Sequence, residues 1–390
     1  MLLAQRMQAV QSPIIPVVGE WIRQCPGTIS LGQGIVHYGP PVQALEQIHH
    51  FVAAQNHKYQ PVDGIPPLRD AVAAKLAAEN GIALDEHNAL VVTAGGNMAF
   101  FNALAAIADP GDEVILPTPY YFNHEMAVTM LSCRPVLAPT REDYQLDLAA
   151  IAERITPRTR AVVTVSPNNP TGAVYSRDSL VAVNELCRSH GLFHIHDEAY
   201  EYFVFDGGAH FSPALLPNTA DHTISLFSLS KAYGFASWRI GYMVLPARLL
   251  TAVKKAQDTI VICPPVISQY AAAGALEAGH DWCRERIARF DEARAAVRQQ
   301  LDTIKDFCFV PASRGALYFL LRIDARLDPL TVAERLIRDH GVAVIPGNTF
   351  GIERGCYLRM SFGGLEGDLV AEGTGRLVRG LRVIVEQNRT

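Results

Sequence analysis

Between residues 89 and 246, short apolar runs recur at intervals, separated by stretches whose apolar residues follow a helical spacing. Seven of the runs read as strands: "ALVVTAG" from Ala89, "DEVILPT" from Asp112, "RPVLAPT" from Arg134, "RAVVTVSP" from Arg160, "LFHIHDE" from Leu192, "TISLFSL" from Thr223 and "IGYMVLP" from Ile240. Helical stretches lie between several of them, as at 97–108 and 177–189. Strands alternating with helices predict an α/β unit around a mainly parallel sheet. In such sheets ligands sit beyond the carboxyl ends of the strands, so the residues that end each strand carry the functional information.

From about Asp281 the pattern changes. "DWCRERIARFDEARAAVRQQLDTI" reads as one long charged helix, and "FCFVPASRGALYFLLRI" as a hairpin. The helix "TVAERLIRDHG" follows, then another strand pair near Val342 and Tyr357. This is an α+β texture. It predicts a large domain over 40–280 and a smaller α+β domain from 281–390, joined by residues 1–39.

Composition adds bounds. The 390 residues are 49% hydrophobic and 19% charged, with a formal net charge of -5, which fits a globular chain with no bias toward nucleic acid or a membrane. No apolar run reaches the length of a membrane span, and "MLLAQRMQAVQSP" is too polar for a secretory signal, so a cytoplasmic protein is expected. The seven cysteines are scattered and form no CxxC pair, which favours reduced, buried thiols over a zinc or redox motif.

Each strand end offers a group with two readings. "TAGGNMAFFNAL" places Gly95 and Gly96 at a helix start, a tight turn or an anion site whose backbone N–H groups suit a phosphate. It is neither a GxGxxG fingerprint nor a P-loop. "PTPYYFNH" places Tyr120 and Tyr121 after a proline, either as core or as a flat face for an aromatic ligand. "SPNNPTG" is a turn that also brings Asn169 to the sheet edge. "LFHIHDEAY" ends on Asp197, a carboxylate that needs a cation or strong donor if desolvated. His194 and His196 share one face of that strand, but no second cluster of ligand spacing supports a metal. In "CYLRMSFGG", Arg359 lies opposite the apolar face of Leu358, Met360 and Phe362, toward water or toward a carboxylate.

"SLSKAYGFASWRIGY" is the most telling stretch. Lys231 follows an uncharged strand among small hydroxyl residues, with Ser228 three residues before it and Arg239 eight after. That is an odd place for a solvated lysine and a good one for a nucleophile. Taken together, the strand ends ask for a ligand with a phosphate, a stackable ring, a basic ring atom and a carbonyl that an amine can capture. Pyridoxal 5'-phosphate has all four.

The order of these segments, from "ISLGQG" through "YQPVDGIPPLRDA", "ADPGDEVILPTPYY", "VSPNNPTGAVY", "DEAY" and "SLSKAYGFASWRIGY" to "RMSFG", resembles the class I/II aminotransferases. These are fold-type I, aspartate-aminotransferase-like enzymes dependent on pyridoxal phosphate, and the likeness runs nearly end to end. Within the family it is nearest the kynurenine and methionine aminotransferase branch. The resemblance implies a homodimer that moves an amino group between an L-amino acid and a 2-oxo acid by a ping-pong mechanism.

Residue roles come with the resemblance. It implies that Lys231 is the Schiff-base lysine and proton shuttle, and that Asp197 pairs with the ring nitrogen. Tyr200 and Asn169 bond the ring hydroxyl oxygen, and Tyr121 stacks on the ring. Gly95, Gly96 and Asn97 offer N–H groups to the phosphate, with Ser228 and Arg239 adding a hydroxyl and a charge. Arg359 binds the substrate α-carboxylate, and Gly34 lies against the substrate. Tyr59 reaches the phosphate of the neighbouring subunit. The Asn169–Pro170 bond is expected to be cis, and a neutral free Lys231 to need a pKa depressed by burial and by Arg239.

Two departures bear on the substrate. The loop after "LGQG" reads "IVHYGPP", with Val36, His37 and Tyr38, and not the common "PDF". "DTIVICPP" lacks the arginine that dicarboxylate-specific members bring from the other subunit. Neutral, aromatic or sulfur-containing donors are therefore favoured. The same machinery drives C–S β-lyases and synthases, the nearest alternative. A transcription regulator on this fold needs a winged-helix domain ahead of "LGQG", which begins near residue 31.

Overall fold

The computed structural model of the chain describes residues 3–55 and 57–388. Its strands are β1 (Ile29–Ser30), β2 (Asn88–Thr93), β3 (Glu113–Thr118), β4 (Arg134–Pro139), β5 (Thr159–Val165), β6 (Phe193–Asp197), β7 (Thr223–Ser228), β8 (Gly241–Pro246), β9 (Cys308–Phe309), β10 (Tyr318–Ile323), β11 (Val342–Ala343), β12 (Ile345–Pro346) and β13 (Cys356–Ser361).

The seven expected strands form one sheet in the order β2-β8-β7-β6-β5-β3-β4. Only β8 runs antiparallel to its neighbours. Helices cover both faces, so the inner strands are buried throughout, and this is why they read as continuous apolar runs. The helices Gly96–Ile107 and Arg177–Ser189 lie where the periodicity put them. Ser176 caps the second, its Oγ accepting from Ser179 N at 3.1 Å.

Because β8 is reversed, its first residue stands at the same sheet edge as the last residues of its neighbours. Gly241 pairs with Thr93 on one side and Ser228 on the other. A methyl group on Gly241 would lie 2.7 Å from Phe227 O and 2.9 Å from Gly96 N, so only glycine allows this close approach.

The charged stretch after Asp281 departs from expectation. It is two helices, Gly279–Ala288 and Phe290–Leu301, followed by a 3₁₀ turn. At Arg289 the N–H bonds to Arg286 O, tightening the chain by one residue as Phe290 packs among Phe203 and Phe362. Side-chain packing overrode the local preference for one helix. The hairpin forms as β9 against β10, and β10 pairs along its whole length with β13. Of the later strands, Val342 pairs with Ile29 of β1, while Ile345 meets Arg359. A single core cluster joins the seven-stranded sheet to the four-stranded sheet β12-β13-β10-β9 through Phe203, Phe227, Phe290, Phe319 and Phe362.

All seven cysteines are free; six are buried and Cys25 is partly so. No helix among the described residues is long and apolar enough to cross a membrane.

Candidate active site

At the carboxyl ends of the large sheet, where β10 and β13 close over it, lies a cavity of 520 Å³. It is lined by Gly34, Gly96, Asn97, Tyr121, Asn169, Asp197, Tyr200, Ser228, Lys231, Arg239 and Arg359. Of the residues to which the resemblance gives roles, Gly95 and Tyr59 do not line it. Tyr59 is 78% exposed, outside the cavity of its own chain. A larger cleft of 870 Å³, between β4 and β10, holds none of the candidates.

One end of the cavity is built for an anion. Gly95 adopts a left-handed φ of 86°, and the helix Gly96–Ile107 starts beside it. The Gly95 N–H is already used, donating to Thr93 O at 2.8 Å. The N–H groups of Gly96 and Asn97 have no acceptor among the described residues, and both residues line the cavity. A Cβ on Gly95 would overlap the Arg239 guanidinium, so this glycine makes room for the cation. Arg239 itself takes φ 56°, and its Nη1 donates to Ala236 O at 2.9 Å. Ser228 lies against Gly96 from the end of β7.

Asp197 stands deeper, as the last residue of β6. Its Oδ1 accepts from Ala199 N at 3.0 Å, and its Oδ2 lies 3.1 Å from His124 Nε2. His124 is held by stacking on Phe100, with ring centroids 4.1 Å apart. Tyr121 meets the same imidazole edge-on and donates from its hydroxyl to Asn97 Oδ1 at 3.2 Å.

Lys231 reaches in from the turn after β7. Its Nζ donates to Gly34 O at 2.5 Å. Burial, then Arg359, then Arg239 push its pKa down to about 8, against a weaker pull upward from Asp197. The depression matches expectation, but Arg359 outweighs Arg239.

Arg359 is almost wholly buried, not turned to water. Its Nη1 donates to Asn169 Oδ1 at 2.8 Å and its Nη2 to Gly32 O at 2.6 Å, while its buried Nε has no partner among the described residues. The guanidinium lies 4.5 Å over the Tyr318 ring. The Tyr318 hydroxyl in turn bonds the Tyr200 hydroxyl. The Asn169–Pro170 bond is cis, as are Thr118–Pro119 and Ser166–Pro167.

His194 and His196 sit inside the sheet core and not in the cavity. Thr164 Oγ1 bridges them at 2.7 Å to each ring, Asn184 bonds His194, and burial drives the His194 pKa to about 3. Among the described residues no group of three or more His, Cys, Asp or Glu has metal-holding geometry. Tyr120 is turned out of the cavity against Gly351. Tyr38 also points away, its hydroxyl donating to Ala232 O at 3.0 Å. Sequence reasoning missed His124, although it lies in the quoted "PYYFNH". It also missed Tyr318 and the apolar wall of Pro13, Ile15, Pro16, Ile35 and Phe122. Only folding brings those residues to the site.

An anion cradle, a depressed lysine amine and a buried carboxylate at one sheet edge define an enzyme that handles carbonyl chemistry through a phosphorylated cofactor. The family model "Aminotransferase class I and II" matches residues 26–377, and the chain belongs to that family. It is 33% identical to "Aromatic aminotransferase ISS1" of Arabidopsis thaliana, over 98% of this chain and 97% of that one. It is 31% identical to "Aromatic-amino-acid aminotransferase 2" of Thermococcus litoralis, over 93% and 94%. Among solved structures, a single mutant of Thermus thermophilus aspartate aminotransferase superposes with a TM-score of 0.89 at 31% identity, covering 97% of this chain and all of that one. The protein is thus a pyridoxal-phosphate-dependent aminotransferase acting on an amino acid and a 2-oxo acid, with the aspartate aminotransferase fold. The residues present fit the cofactor: the free Gly96 and Asn97 N–H groups and Arg239 answer a phosphate, and Gly95 and Gly241 leave the space a side chain would fill.

Proposed function

We propose that the amino donors have uncharged side chains, with aromatic and sulfur-containing amino acids preferred. One observation carries this. Lys231, Arg239 and Arg359 are the cations among the described residues that line the cavity, and each has a place in the common chemistry. Asp197 aside, the rest of the wall carries no charge: apolar Pro13, Ile15, Pro16, Ile35, Phe122, Val165 and Ala199 stand beside neutral Gln33, Asn123, Ser230 and Tyr318, which favours uncharged side chains and leaves a second carboxylate without a cation. The names of the two aromatic aminotransferases that the chain resembles support the same reading.

In this reading Gly96, Asn97, Ser228 and Arg239 hold the phosphate, with Gly95 giving Arg239 its space. Asp197, itself braced by His124, would keep the ring nitrogen protonated. Tyr121 would cover the ring, and Tyr200 and Asn169 would bond its hydroxyl oxygen. When bound, the cofactor supplies the carbonyl that accepts the amino group and the ring that draws electrons from the substrate α-carbon. Arg359 grips the α-carboxylate beside Gly34, which fixes the α-carbon near Lys231. The neutral Lys231 amine would then take the α-proton and hold it for return.

The active molecule is a homodimer. The far-exposed Tyr59, with Val42, Leu45, Val52 and Ile260 exposed as well, suits a surface covered by a second copy whose phosphate Tyr59 reaches. Residues 40–280 form the large domain, and 1–39 with 281–390 the small one, in a cytoplasmic enzyme. Comparing kcat/KM for phenylalanine, methionine and aspartate tests the donor assignment. Phenylalanine or methionine should exceed aspartate by at least about tenfold, given the cost of burying an unpaired carboxylate. Aspartate as the best donor overturns it.

A further inference from the structure

Tyr318 is the first residue of β10 and is 1% exposed. Three contacts converge on it. Its hydroxyl bonds the Tyr200 hydroxyl, the two rings meeting edge to face at 5.6 Å and 76°. The Arg359 guanidinium lies over its ring. Its hydroxyl also fills the space where a Gly34 side chain would stand. Tyr318 therefore touches the three residues that the functional reading places at the ring hydroxyl, the carboxylate and the α-carbon.

We propose that Tyr318 is a positioning residue, whose hydroxyl donates to the Tyr200 oxygen and so leaves the Tyr200 proton aimed into the cavity. Only one proton can lie between two hydroxyl oxygens. A cation over the Tyr318 ring stabilises negative charge on that phenol, which makes it the better donor of the pair. A phenol that accepts a hydrogen bond also becomes a stronger donor through its own proton. Tyr200 thus presents a strengthened donor to the ring hydroxyl oxygen of the cofactor. Because Tyr318 belongs to β10 and Tyr200 follows β6, the donor is set only when the two sheets are seated together.

This inference rests on the reading that Tyr200 meets the ring hydroxyl, and the test separates the two. The visible absorbance of the cofactor-loaded enzyme is titrated with pH for the wild type, Tyr318→Phe, Tyr200→Phe and the double variant. A weaker donor to the ring oxygen favours its protonated form, so Tyr318→Phe should raise the absorbance midpoint by about half a pH unit. Tyr200→Phe should raise it further, and the double variant should match Tyr200→Phe. The ring remains under Arg359, so KM for the amino acid should stay within about twofold while kcat falls. A wild-type midpoint in Tyr318→Phe beside a shifted Tyr200→Phe overturns the positioning role alone. So does a Tyr318→Phe shift that persists undiminished in the Tyr200→Phe background, which is how a general packing effect would act. A wild-type midpoint in Tyr200→Phe overturns the Tyr200 assignment and this inference with it.

Discussion

Arg359 Nη1 donates to Asn169 Oδ1 at 2.8 Å, tying β13 to the loop after β5. The guanidinium is thereby fixed before any substrate arrives. A second bond to Gly32 O and the Tyr318 ring beneath complete its seat. A carboxylate entering the cavity meets a cation whose orientation is already set.

Arg359→Lys keeps the charge but loses the planar fork and its bond to Asn169. KM should rise by about tenfold or more for both the amino acid and the 2-oxo acid, since each presents the same carboxylate. Steady-state kinetics with each substrate varied in turn checks this. A rise for only one of the two contradicts a shared carboxylate site.

Lys231 carries a pH prediction. Its pKa falls from 10.5 to about 8 in the folded chain. Between those values the unfolded chain binds more protons than the folded one, so stability from this group rises with pH across that window. Below about 8 the full penalty for burying a charged amine remains. In cofactor-free protein, Lys231→Met should therefore melt higher than wild type at neutral pH, and the gap should close toward pH 10.5. Calorimetry across this range measures it. The same variant should lose transamination by at least about a thousandfold, with loss of the wild-type visible band.

Gly34→Ala should be costly because its new methyl would overlap the Tyr318 hydroxyl. A destabilisation of about 1–3 kcal/mol and a raised KM are expected. Adding Tyr318→Phe should restore only part of the stability, since the Tyr318 Cζ would still lie 2.8 Å from the methyl. Thermal melts of the single and double variants give the coupling.

Gly95→Ala should weaken the cofactor and not the fold's core. Its methyl would push the Arg239 guanidinium aside, and φ 86° disfavours any side chain there. Equilibrium dialysis should show at least about tenfold weaker binding of pyridoxal phosphate, because a charged hydrogen bond to phosphate is lost. Unchanged affinity would separate Arg239 from phosphate binding.

The sequence by itself determined the sheet and the residues at its edge. Strands buried on both faces must be continuously apolar, and their ends must carry whatever chemistry the sheet supports, so both were legible without coordinates. The motif order then placed Lys231, Asp197 and Arg359 in one family. What the tertiary structure decided is everything that depends on contacts between distant segments. Arg359 left a choice between water and a buried site, and the closure of β13 over the sheet settled its burial. Gly95 read as a phosphate donor, but folding spends its N–H on Thr93 and uses its missing side chain for Arg239. The long helix after Asp281 broke at Arg289 where Phe290 packs with Phe203 and Phe362. Tyr318 and His124 carried no local signal, because a phenol in a hairpin or an imidazole in a helix looks ordinary until packing sets it against Tyr200 or Asp197. Periodicity records which face of an element is buried; it does not record which element buries it.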